Sequence, residues 1–156
     1  MIVVSFLPIL AAGIASVLVS WAWYSPMLFG RVWIRLENFT PEMVERAKGR
    51  ALLMAAVGLL ASMLVAWVMS YVGILLGVYD WLGAVELGFW CWLGFAAPPM
   101  LGMVLWEQKP VRLYLIIALN WLVAFIVMAL ILMLGSQLIS GGSYDTSGDA
   151  AYSAGE

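Results

Sequence analysis

Few side chains in this sequence could do chemistry, and they are scattered. Glu86 is a lone carboxylate inside a long apolar stretch. An acid near a bilayer centre costs about 2.5–3.5 kcal/mol and usually marks a site. If its helix starts at Trp81, however, Glu86 is only five residues in, where it could face headgroups and interact with the helix N-terminus. The other reading is a proton or cation site facing a helix bundle. Asn120 stands about nine residues into another apolar stretch, about 13 Å along a helix. Its amide should hydrogen-bond across helices, with Ser62, Ser16 or a freed carbonyl as partner. Pro98 and Pro99 remove two backbone donors and free carbonyls near Gly94 and Phe95, so a kink is expected. Broken helices build transporter sites, but such kinks are also tolerated where neighbours satisfy the carbonyls.

Much chemistry is excluded by what is missing. The sequence contains no histidine, which removes the commonest metal ligand, the usual general base near neutral pH and the usual axial ligand of haem. Cys91 is the single cysteine, so no intrachain disulfide is possible. Glu107 and Glu86 should lie at opposite membrane faces and cannot act as an acid and base pair. No catalytic or metal-binding set is legible, no cofactor is predicted, and an enzyme is not expected. Nine tryptophans and ten methionines could still line an apolar cavity for lipid, quinone or pigment, although interfacial belts and core filling are their ordinary uses.

The elements that position these groups follow from composition. Hydrophobic residues make up 65% of the 156 and charged ones 10%, against roughly 45–50% and about 25% in soluble domains. The apolar residues fall in four runs, about 2–24, 51–78, 82–106 and 111–139, each long enough to cross a hydrocarbon core of about 30 Å. The fold class is therefore all-α: a polytopic membrane domain over 1–139, with four helices in an up-down bundle. Tyr79 and Asp80 alone separate the second and third runs, which predicts an antiparallel hairpin.

Residues 27–50 form a loop with structure of its own. Leu28, Phe29, Val32, Trp33 and Leu36 recur at helical spacing, with Arg31 and Arg35 on another face, which describes a short helix in the headgroup layer. Thr40, Pro41 and Glu42 read as an N-cap, a first-turn proline and an early acid of a second helix. Residues 140–156 form a Gly- and Ser-rich acidic tail, expected to be flexible. Arg31, Arg35, Arg46, Lys48 and Arg50 lie between spans one and two, Lys109 and Arg112 between three and four, and the other face has no Lys or Arg. This split predicts cytoplasmic basic loops, with both termini on the non-cytoplasmic side. A net charge of -2 and the absence of a basic stripe exclude nucleic acid as a partner.

In lipid, small residues that let backbones approach are the packing signal. Gly58, Ser62, Ala66 and Ser70 recur every four residues in span two, followed by Gly73 and Gly77, and Ala12, Ser16 and Ser20 repeat the device in span one. These stripes are expected to face protein, either each other or a second copy.

Three blocks resemble the DUF1761 family (domain of unknown function 1761). The first is Trp23-Tyr24-Ser25-Pro26-Met27-Leu28-Phe29-Gly30-Arg31-Val32-Trp33. The second is Trp92-Leu93-Gly94-Phe95-Ala96-Ala97-Pro98 with Trp106-Glu107-Gln108-Lys109-Pro110, and the third is Asn120-Trp121-Leu122-Val123. The resemblance reaches to about Leu134 and implies a small bacterial inner-membrane protein of four spans, with no assigned activity. The acidic tail departs from the family pattern. The shared blocks cluster at the expected cytoplasmic ends, where a functional surface is to be sought, with Tyr24, Ser25, Pro26 and Glu107 as candidates.

Two roles remain. One is a non-catalytic accessory subunit packing with itself or within a larger membrane complex. The other is a small transporter or channel using Glu86, Asn120 and the kink at Pro98. Membrane lipids are partners in both.

Overall fold

The computed structural model describes residues 6–141, with side chains as far as residue 138. The chain is all-α over this range, and four helical segments are long and apolar enough to cross a membrane: Phe6–Trp23, Ala51–Leu75, Trp81–Leu105 and Val111–Leu138. The elements are α1 (Phe6–Trp23), α2 (Gly30–Leu36), α3 (Pro41–Gly49), α4 (Ala51–Leu75), α5 (Trp81–Cys91), a π-helical turn (Trp92–Ala96), α6 (Ala97–Leu105) and α7 (Val111–Gly141). Residues 2–5 of the expected first span lie outside the described residues. So does the expected flexible tail, apart from Ser140 and Gly141, which continue α7.

Spatial order differs from chain order. α1 packs between α4 and α7, and α5 packs on the opposite side of α7. A larger share of α7 is buried than of any other span. The core is built from small and flexible side chains: Ala12 on α1, Ala66 and Met69 on α4, Ala84 and Leu87 on α5, and Met128, Ala129 and Met133 on α7. Alanines bring backbones close and methionines fill the irregular gaps between them.

α4 and α5 are antiparallel neighbours in the chain, yet they meet mainly near their connection, where Leu87 lies against Gly73. That connection is longer than the two residues expected. α4 stops at Leu75, and Gly77 takes φ +68°. The Val78 N–H donates to the Gly73 carbonyl and the Gly77 N–H to the Ile74 carbonyl, which is the Schellman pattern with glycine at the left-handed position. Gly77 therefore ends a helix and does not pair with Gly73 on a packing face.

Span three meets the prolines with a specific device. Trp92–Ala96 form a π turn in which the Ala97 N–H reaches back to the Trp92 carbonyl. Pro98 and Pro99 then stand in the first turn of α6, where missing N–H groups cost least. The widened turn also changes the buried face. Ala84, Gly88 and Cys91 are buried, the next helical positions Gly94 and Phe95 face outward, and burial resumes at Ala97.

Between span one and α4 the chain forms the two short helices α2 and α3. The Thr40 hydroxyl accepts from the Met43 N–H, and Pro41 occupies the first turn of α3. All seven Lys and Arg residues lie at this end of the molecule, called the basic end below.

Candidate functional site at the basic end

The first turns of α7 collect hydrogen bonds from two neighbouring spans. The Trp23 Nε1–H of α1 donates to the Ile116 carbonyl at 3.0 Å. The Trp92 Nε1–H of the π turn donates to the Ala118 carbonyl at 2.7 Å. Each carbonyl has a second lone pair beyond the one used within the helix. An indole thus ties one helix to another while leaving no donor in hydrocarbon. Asn120 follows one turn on, 3% exposed, and its Nδ2–H donates to the Ser20 Oγ at 3.2 Å. Its partner is thus Ser20, and neither Ser16 nor Ser62 as expected. Those two serines bond each other, Ser62 Oγ donating to Ser16 Oγ at 3.3 Å across α4 and α1. The Asn120 Oδ1 is buried without a partner.

Below this polar seam the chain reverses from α1 into α2. The Phe29 N–H donates to the Trp23 carbonyl and the Gly30 N–H to the Ser25 carbonyl. A Cβ on Gly30 would fall 2.1 Å from the Tyr24 carbonyl oxygen, so only glycine closes the turn. Pro26 stands exposed at the corner and Ser25 is half-buried. The reversal brings Trp23 against Phe29 with ring centroids 4.7 Å apart and Tyr24 against Trp33 at 5.0 Å, both tilted, and sets Trp33 edge-to-face with Phe39 at 5.1 Å.

Asn38, at φ 56°, ends α2 and turns Glu37 toward the α6–α7 connection. There Gln108, also at φ 56°, turns Lys109 inward, and Lys109 Nζ pairs with Glu37. The lysine and glutamate side chains are 29% and 16% exposed. Burial, and secondarily the Glu37 carboxylate, push the Tyr24 phenol up to about 12. The result is an aromatic collar with a neutral hydroxyl beside a partly buried ion pair.

Other candidates lie apart from this region. Glu107 is exposed in the α6–α7 turn, and Pro98 and Pro99 face outward. Glu86 also faces outward, lining a cleft between α4 and α5 together with Asp80. The backbone of Gly88 lies against Ile126, which places Glu86 near the level of residue 128, about 12 Å along the axis from Asn120. Glu86, Asn120 and Pro98 are therefore not brought into one site. Among the described residues, no three His, Cys, Asp or Glu side chains gather as metal ligands.

The small-residue stripes meet in part. Ser62 and Ala66 are buried against α1, Ser70 and Gly58 are half-buried, and a Cβ on Gly58 would meet nothing within 4 Å. Among the glycines of the spans, the closest approach to another helix's backbone is at Gly88, whose Cβ would fall 2.8 Å from the Ile126 Cα. Sequence reasoning missed Gly88, and it missed Glu37 and Gly30 as parts of the collar. A glycine seven residues after Trp23, inside an aromatic block, was the available signal for Gly30.

Comparison with known proteins gives one match: a family described as "Protein of unknown function (DUF1761)" matches residues 7–133. No curated protein and no solved structure matches the chain.

Proposed function

Since the chain belongs to the DUF1761 family, a family without an assigned activity, we propose its role from geometry: a non-catalytic membrane subunit that packs with itself or within a larger membrane complex. One observation carries this reading. The blocks that mark the family are spent on joining helices, through the two indole bonds to α7, the Asn120–Ser20 bond and the Glu37–Lys109 pair. Side chains used in this way fix an architecture. The transporter reading is weaker because its three residues lie apart.

The surface through which the subunit associates is the part of α4 around Gly58. This helix stands at the margin of the bundle, and its small-residue stripe runs past its contact with α1 to Gly58, where the surface is open. Close helix approach in lipid uses such positions. The test is native mass measurement after mild detergent extraction, on the natural chain and on Gly58→Leu. The expected result is an oligomer or a hetero-complex that Gly58→Leu dissociates into stable monomers. A natural chain that runs as a lone monomer at every detergent concentration refutes the proposal.

A further inference from the structure

We propose that the cleft between α4 and α5 binds a phospholipid carrying a primary ammonium headgroup. The cleft encloses about 390 Å³, within the size range of small-molecule sites at about 300–1,000 Å³. It exists because α4 packs on α1 and α5 on α7, so the two helices diverge from their shared connection. Its walls are apolar, with Leu76, Leu87, Trp90 and Phe95 prominent, and its rim near the helix start carries Asp80 and Glu86.

Three observations select the occupant. The first is charge: the rim holds two carboxylates, and every Lys and Arg of the chain is at the basic end. Neither acid has a hydrogen bond or ion pair to another described residue; Asp80 precedes α5 without capping it, and the described ion pairs are Lys48–Glu45 and Lys109–Glu37. A carboxylate in a spanning helix needs a cation or donors. A primary ammonium supplies both, through three N–H groups that a quaternary ammonium lacks. The second is length. From Glu86 to Phe95 is about 13 Å along the helix, close to half of a hydrocarbon core of about 30 Å, so an acyl chain anchored at Glu86 runs to the bilayer midplane beside Trp90 and Phe95. The third is exposure. Trp90 is 62% and Phe95 77% exposed, which opens the cleft sideways to lipid.

The test uses the full chain in detergent, incubated with phosphatidylethanolamine, phosphatidylglycerol and phosphatidylcholine of matched acyl chains, and counts retained lipids by native mass spectrometry. Retention of the ethanolamine lipid should exceed that of the glycerol lipid about tenfold and also exceed that of the choline lipid. Glu86→Gln combined with Asp80→Asn should bring it down to the glycerol-lipid level without lowering the melting temperature. Val72→Trp, which fills the cleft and leaves the charges alone, should abolish retention of all three. Equal retention across headgroups, or a preference unchanged in both variants, overturns the proposal. A protein adduct lost in the carboxylate variant also overturns it, assigning the acids to a protein partner. Failure here leaves the association through α4 untouched, since Gly58 lies about four helical turns from Val72.

Discussion

Alanine at Gly88 and alanine at Gly58 should act in opposite directions, although both replace a helical glycine in an apolar span. Each substitution gains about 0.5–1 kcal/mol because alanine is less free in the unfolded chain. At Gly58 nothing within the same chain opposes that gain, since the added carbon has open space around it there. At Gly88 it would meet the Ile126 Cα at 2.8 Å, the Ile126 nitrogen at 2.9 Å and the Phe125 carbonyl oxygen at 3.0 Å. All three are backbone atoms and cannot rotate aside. Ordinary carbon contacts lie at about 3.5–4.0 Å, so α5 must retreat from α7 by most of an ångström. That motion loosens the seam where Ala84, Leu87 and Cys91 share a core with Phe125, Met128 and Ala129. Overpacking of this kind costs about 1–3 kcal/mol. The helix-forming gain is common to both variants, so Gly88→Ala should be less stable than Gly58→Ala by that same about 1–3 kcal/mol. Unfolding by dodecyl sulfate titration in mixed micelles, followed by tryptophan fluorescence, measures the difference. Equal stability of the two variants would refute the claim that α5 and α7 touch backbone to backbone at this point.

Further outcomes test the collar and the indole bond to α7. Tyr24 should titrate late, as a phenolate absorbance component near pH 12 that Tyr24→Phe removes and that Glu37→Gln shifts to lower pH. Because the unfolded phenol releases its proton near pH 10 and the folded one does not, folding stability should fall as pH rises between about 10 and 12. Trp92→Phe keeps an aromatic side chain but loses the donor to the Ala118 carbonyl and part of the ring volume, and should cost at least about 1 kcal/mol in the same micelle titration. Trp21→Phe, at a position 78% exposed, should change stability by less than about 0.5 kcal/mol.

The four spans are legible in the sequence because length and hydropathy in lipid suffice to define them. Which spans touch is not, since helices that are apolar all round carry no stripe to read. The hairpin expected from Tyr79 and Asp80 illustrates this: proximity in the chain suggested a packed pair, whereas α1 and α7 intervene. Small residues were visible, but their contacts were not. Gly58, Ser62, Ala66 and Ser70, with Gly73 and Gly77 after them, formed the visible series, yet Gly88 makes the close approach and Gly77 ends its helix. The interruption at Pro98 was legible from lost donors. The π turn before it, from which Trp92 reaches α7, was not, since no spacing announces it. Asn120 was legible as a cross-helix bond, but its partner depended on the relative rotation of α1. The pairing of Glu37 with Lys109 required two turns to close: the one at Asn38 is a Schellman cap of the kind asparagine favours, whereas the positive φ of Gln108 has no such local preference.

The central place of α7 has a consequence for biogenesis. During synthesis α1 and α4 can pair as soon as both have left the ribosome, but α5 emerges before the helix it packs against exists. Until the last span is inserted, Gly88 and the Trp92 indole have no partner, and the translocon or surrounding lipid must shelter a half-finished face. A nascent chain arrested before Val111 should therefore be the species most open to quality-control proteases, and release of the final helix is the step that locks the bundle.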